Sequence, residues 1–111
     1  MNRLDLDTVL SWVREGSQVL DLGCGDGAFL ARLSEETGAF GVGVDIDPGN
    51  LVTAVNRGLD VIQEDINDGL RCFTNNRFDV VILAHALQEL THPHIALQRM
   101  VDIADEATTK S

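Results

Sequence analysis

The residues of this chain best suited to chemistry are a glycine turn and three aspartates. The turn reads Gly23-Cys24-Gly25-Asp26-Gly27, placed between an apolar run and a helical pattern. A backbone that must bend sharply and let a ligand approach its amides needs glycine there. Asp21 stands two positions before the first glycine, where a carboxylate points toward the turn. Beside a dinucleotide pyrophosphate that charge would be unfavourable, whereas the ammonium of an amino-acid moiety would be attracted. Asp45 follows the first glycine by about 20 residues, the spacing at which an acidic residue reaches ribose hydroxyls. Asp65, in Gln63-Glu64-Asp65-Ile66, can accept a hydrogen bond from an adenine amino group while Ile66 covers the ring face. An amino-acid ammonium, a ribose and an adenine together describe S-adenosyl-L-methionine (AdoMet), or S-adenosyl-L-homocysteine once the methyl group has left.

Each of these residues also has a plainer reading. The turn fits Gly-x-Gly-x-x-Ala with Ala28 last, the pattern of a dinucleotide loop. Asp21 and Asp45 could serve turns, and Asp65 could be a loop or cap residue. Their recurrence at three successive strand ends is what favours the ligand reading. For methyl transfer itself the candidates are thin. His85 follows the fourth strand and is a weak candidate base, its plainer reading being a surface or helix-start histidine. His85, His92 and His94 lack a carboxylate or cysteine at a recognisable ligand spacing, so no metal is expected. Cys24 reads as a small residue filling the turn, with no base to make it a nucleophile. Cys72 and Trp12 read as structural, the latter as packing on the first helix.

The elements that must position these groups are visible in the periodicity. Leu6, Val9, Leu10 and Val13 mark one face of a helix over residues 5–14, with Gly16 as its stop. Val19-Leu20-Asp21-Leu22 reads as a buried parallel strand. Phe29, Leu30 and Leu33 give a helix that Gly38 ends, and Val42-Gly43-Val44-Asp45 a second strand. Asp47 and Pro48 are a helix start, with Leu51, Val52 and Val55 as the expected buried face and Gly58 as the end. Val61-Ile62-Gln63 is a short third strand, and Phe78–Ala84 a central fourth one. A short helix is expected over 85–90, and Pro93 opens another whose expected face is Leu97, Met100, Val101 and Ala104. Alternating strands and helices imply a Rossmann-like, doubly wound α/β domain with a parallel sheet.

The bulk properties narrow the function classes. The 111 residues fit one domain, and 44% hydrophobic residues suffice for a core. A formal net charge of −10 opposes phosphate backbones and anionic membrane surfaces. The lack of an Asn/Asp-Pro-Pro-aromatic run after the fourth strand also argues against methylation of nucleic-acid amino groups. Two cysteines without a metal or CxxC spacing, and an N-terminus without the apolar core of a signal peptide, point to a reducing cytoplasm.

VLDLGCGDG, GVDIDP and FDVVILAHALQ resemble, in order, the motifs of class I AdoMet-dependent methyltransferases. More narrowly, VLDLGCGDG, GVDIDPGNLVTAVNRGLDVIQEDINDGL and FDVVILAHALQ are similar to the methionine-biosynthesis protein MetW family. The resemblance implies a methyltransferase-like fold working beside a homoserine O-acyltransferase in methionine synthesis. The alternative is a small-molecule AdoMet-dependent methyltransferase. Carried over by motif, Asp21, Gly23, Gly25, Gly27, Asp45, Ile46, Asp65, Ile66 and Ala84 are the expected cofactor positions. Where the family continues into an apolar fifth strand, this chain has the polar stretch 102–111. The expectation is therefore a domain over 1–104 lacking the last strands, and a frayed polar tail over 105–111. The fourth strand would then have an open edge through which the chain could form a homo-oligomer.

Overall fold

The computed structural model describes residues 10–68, 73, 77–84, 91 and 93–110. Five strands, β1 (Gln18–Leu22), β2 (Phe40–Asp45), β3 (Asp60–Gln63), β4 (Phe78–Ala84) and β5 (Ala104–Lys110), form one sheet in the order β3-β2-β1-β4-β5. Every pairing is parallel. Among the described residues three complete α-helices alternate with them: α1 (Ala28–Thr37), α2 (Pro48–Asn56) and α3 (Pro93–Ile103). One turn of 3-10 helix, Ile66–Asp68, follows β3.

The side-chain alternation of the central strands divides the core into two layers. Val19 of β1 and Val80 and Ile82 of β4 pack with Leu30 and Leu33 of α1. Leu20 and Leu22 of β1 and Val81 and Leu83 of β4 face the other way, onto Met100 and Ile103 of α3. Helices therefore cover both faces, which is why β4 is a continuous apolar run rather than an alternating one. Between β1 and β4 the order reverses, so the crossovers leave on opposite sides. In open α/β sheets that reversal creates a ligand crevice beyond the carboxyl ends of the strands.

Local sequence explains the helix limits. Asp47 caps α2 by accepting from Gly49 N at 2.8 Å, with Pro48 opening the helix. Gly38 ends α1 in the left-handed region, its N–H donating to Ser34 O. Gly41 and Gly43 of β2 let α1 and the glycine turn lie close. A Cβ on Gly41 would come within 2.5 Å of Leu30 Cδ1, and one on Gly43 within 2.7 Å of Cys24 Sγ.

Several expectations need correction. Ala104–Lys110 is not a frayed tail but a strand that pairs with β4 from Phe78↔Ala104 to Ala84↔Lys110. Parallel pairing uses backbone groups, and the β-branched Thr108 and Thr109 favour extended backbone, so the polar composition was a poor guide. The edge of β4 is consequently occupied, and the outer strands of the sheet are β3 and β5. On α2 the buried residues are Leu51 and Ala54, whereas Val52 and Val55 are exposed. Near the end of α3 Ile103 is buried and Val101 is exposed. Of the expected first helix, residues 10–12 are helical while Val13 and Arg14 are not. Trp12 is 45% exposed beside a cavity at the amino end of the sheet, with Arg14, Glu15 and Asp79 around it. Among the described residues no helix is long and apolar enough to cross a membrane.

Candidate functional site

The carboxyl ends of β1, β2 and β3 lie side by side. Asp21 pairs with Gly43 on one side and Ile82 on the other, and Asp45 pairs with Gln63. The chain leaving β1 folds back over β2, with Gly23 N and Cys24 N both donating to Val44 O, at 2.7 and 2.9 Å. Gly23, Gly25 and Gly27 have φ of 76°, 58° and 84°. Three left-handed residues in five positions are accessible at little cost only to glycine. The two later glycines differ in what surrounds them. A Cβ at Gly27 would lie 2.5 Å from Leu59 Cδ1 and 3.0 Å from Ala54 Cβ, so this glycine serves close packing of the helix start. At Gly25 an added Cβ would meet nothing within 4 Å, so that glycine faces open space, where a ligand can approach the backbone.

Asp21 is the one charged residue buried among those described, with 1% of its surface exposed. Its Oδ1 has no hydrogen-bond partner. Desolvation by burial, and secondly the charge of Asp45, push its pKa up from 3.8 to about 7. A buried carboxylate without donors is costly unless a cation or donor meets it. Cys24, packed against the same carboxylates, has its thiol pushed up to about 12, by burial first and then by the charges of Asp21 and Asp45. It is a filler opposite Gly43, with no thiolate at neutral pH.

Asp45 performs its plainer role of serving turns. Oδ2 accepts from Gly25 N at 2.8 Å, and Oδ1 from Asp47 N at 2.9 Å. The carboxylate thus ties the glycine turn to the start of α2, and each oxygen has a second lone pair for a further donor. The next residue, Ile46, is 59% exposed, an apolar surface next to the carboxylate. Asp65 likewise caps its own turn, Oδ1 accepting from Asn67 N at 2.9 Å and from Asn67 Nδ2 at 3.1 Å. Ile66 is half-buried against the α3-side core. Glu64 N donates to Asp45 O at 3.2 Å and Gln63 Nε2 to Ile46 O at 3.1 Å, which holds the ends of β2 and β3 together.

Two supporting residues escaped the sequence reading. Arg57, just past α2, donates from Nε to Asp26 O at 3.1 Å, with Nη2 3.6 Å from Asp26 Oδ2. It straps the glycine turn from outside. Asn67 bridges Asp65 to Thr91, whose N–H donates to Asn67 Oδ1 at 2.8 Å. Both lie within the stretch 43–70 that carries the family resemblance, but neither residue type marked a role there; the nearer signals were the adjacency of Asn67 to Asp65 and of Arg57 to a helix end. The weak base candidate His85, along with His92 and Cys72, lies outside the described residues. Ala84 ends β4 at the same rim as Asp21.

What the arrangement can do follows from its charges. Asp21, Asp26, Asp45, Asp47 and Asp65 crowd one rim around backbone amides and two apolar side chains. That rim disfavours phosphates and suits a cationic group.

Comparison with known proteins places this geometry. The family model described as methionine biosynthesis protein MetW matches residues 3–110. The bifunctional methionine biosynthesis protein MetXA/MetW of Rhodopirellula baltica is 35% identical over 112 residues, covering 94% of this chain and 18% of that protein. A SAM-dependent methyltransferase from Aquifex aeolicus superposes with a TM-score of 0.74 at 25% identity, over 90% of this chain and 58% of the other. For the fold alone, a SAM-dependent methyltransferase from Geobacter sulfurreducens in complex with S-adenosyl-L-homocysteine gives 0.77 at 19% identity. It covers 94% of this chain and 45% of that one. The sheet is thus the Rossmann-like sheet of class I methyltransferases, and the chain spans less than two thirds of each of these relatives.

Proposed function

Because the chain belongs to the methionine-biosynthesis MetW family, we propose that it is an AdoMet-binding protein that acts beside a homoserine O-acyltransferase. The single observation that carries the ligand is the buried, unpaired Oδ1 of Asp21 beneath a glycine turn with open space at Gly25. The residues present fit AdoMet. Asp21 would take the ammonium, the turn at Gly23 and Gly25 the amino-acid backbone, Asp45 the ribose hydroxyls and Ile46 a face of the adenine. Asp65 and Ile66 would take its edge and other face, with Gly27 and Ala84 shaping the floor. When bound, AdoMet supplies a sulfonium-activated methyl group.

The partner rests on the family, supported by a relative that joins MetXA and MetW in one polypeptide. Joining two modules raises their effective concentration, which favours any weak contact between them. AdoMet lies downstream of methionine, so a ligand bound more tightly by one state of the pair would shift that state's population and report supply.

The test has two arms. Titration calorimetry with AdoMet and S-adenosyl-L-homocysteine is expected to give one site on the chain, lost in Asp45→Ala. Mixing with the acyltransferase is expected to change acyl-transfer rate in an AdoMet-dependent way; an unchanged rate with and without AdoMet removes the regulatory role. Turnover of methyl-labelled AdoMet with a small acceptor would favour the small-molecule methyltransferase instead.

A further inference from the structure

Asn67 carries three hydrogen bonds that face two parts of the site. Its N–H and its Nδ2 both donate to Asp65 Oδ1, at 2.9 and 3.1 Å, while its Oδ1 accepts from Thr91 N at 2.8 Å. A primary amide has donors on one side and an acceptor on the other. Only one orientation therefore satisfies both partners; the flipped amide would set a carbonyl oxygen against a carboxylate and an NH2 against an N–H. Asn67 itself is exposed, so core packing does not dictate its type. Together with the Asn67 N–H, the side chain limits the rotation of the Asp65 carboxylate and ties it to Thr91.

We propose that Asn67 is the positioning residue that sets a preference for a 6-aminopurine, by holding Asp65 Oδ1 so that the other carboxylate oxygen is presented to the ring's exocyclic amino group. The inference rests on the AdoMet reading, in which Asp65 meets the adenine edge. A hypoxanthine ring has a carbonyl oxygen where adenine has the amino group, and a fixed carboxylate repels it. A carboxylate held by the Asn67 N–H alone has more freedom to turn away and admit either ring. Losing Asn67 therefore erodes discrimination more than binding, because a site held to one hydrogen-bonding partner rejects the analogue that leaves it unpaired.

The probes are S-adenosyl-L-homocysteine and its deaminated analogue S-inosyl-L-homocysteine, titrated into the whole chain and into Asn67→Ala and Asn67→Asp. The aspartate variant keeps an acceptor for Thr91 N and sets a second carboxylate against Asp65 in place of the donor. The parent is expected to prefer the adenine ligand by more than about tenfold, and both variants to lower that ratio by about tenfold, the scale of a hydrogen bond to a charged group. An unchanged ratio in either variant overturns the inference, including the case where both ligands weaken together, which is what a merely structural role would produce. A parent that binds the adenine ligand without discrimination overturns this inference and leaves the AdoMet reading intact. A parent that binds neither ligand removes both.

Discussion

Replacing Asp21 with asparagine separates the charge of the buried carboxylate from its shape. Burial, and then the charge of Asp45, raise this pKa from 3.8 to about 7. Between those values the native chain binds more protons than the unfolded chain, so the group costs stability as pH rises. The cost is absent below the unfolded pKa, accumulates between about pH 4 and pH 7, and is complete above the folded value. About three pKa units at 1.36 kcal/mol each set a ceiling of about 4 kcal/mol. Urea denaturation of parent and Asp21→Asn across this range should show the variant gaining about 2–4 kcal/mol on the parent from pH 4 to pH 8. The same charge governs ligand binding in the opposite sense. An ammonium beside Asp21 favours the ionised form, so below pH 7 parental affinity for AdoMet should rise with pH, by up to about tenfold per unit, with release of a proton. Asp21→Asn should bind more weakly and lose that slope. A parent-to-variant stability difference that stays flat with pH, or reverses, would mean that Asp21 does not titrate as a buried, unpaired carboxylate.

Other substitutions probe the supports of the site. Gly25→Ala and Gly27→Ala form a contrasting pair in thermal melts and AdoMet titration. Gly25→Ala should cost about 1–2 kcal/mol for its left-handed φ alone yet sharply reduce binding, because its methyl group enters the open space. Gly27→Ala should cost about 2–4 kcal/mol, adding overpacking against Leu59 and Ala54 to the backbone term; equal stability losses would contradict the distinction. Cys24, followed by mass spectrometry in a Cys72→Ser background, should resist iodoacetamide at pH 8 until the chain unfolds, since its thiol is pushed up to about 12; rapid labelling of folded protein would contradict this. Arg57→Gln should lower stability by less than about 1 kcal/mol, because its ion pair is half exposed, while weakening AdoMet binding a few-fold by loosening the turn.

The site was more legible in sequence than the packing around it. Glycines and aspartates at strand ends are constrained by backbone conformation and charge, which residue type records directly: Gly23, Gly25 and Gly27 all have positive φ, and Asp21 is buried where its carboxylate was expected to face the turn. Helix phase was harder. On α2 the larger apolar residues Val52 and Val55 were taken as the inner face, but contact with Gly27 selects the small Ala54. Close approach of backbones favours small side chains, and a hydrophobicity pattern does not weigh closeness. The strand β5 was missed because its sequence is polar, whereas its formation depends on the backbone of β4 beside it. Asp45 and Asp65 make the contacts of their plainer readings. Asp45 binds the amides of Gly25 and Asp47, and Asp65 that of Asn67, roles that hold each carboxylate without using all its lone pairs. Arg57 meets Asp26, and Asn67 meets Thr91, across long stretches of sequence, contacts that no local pattern encodes.

The proposal stands or falls on whether this rim of carboxylates around the glycine turn holds AdoMet. Calorimetric titration of the chain with S-adenosyl-L-homocysteine at neutral pH, with Asp45→Ala alongside, decides it. Saturable binding is expected at one site per chain, abolished by the substitution. Absence of heat together with an unshifted melting temperature for both S-adenosyl-L-homocysteine and AdoMet would contradict it.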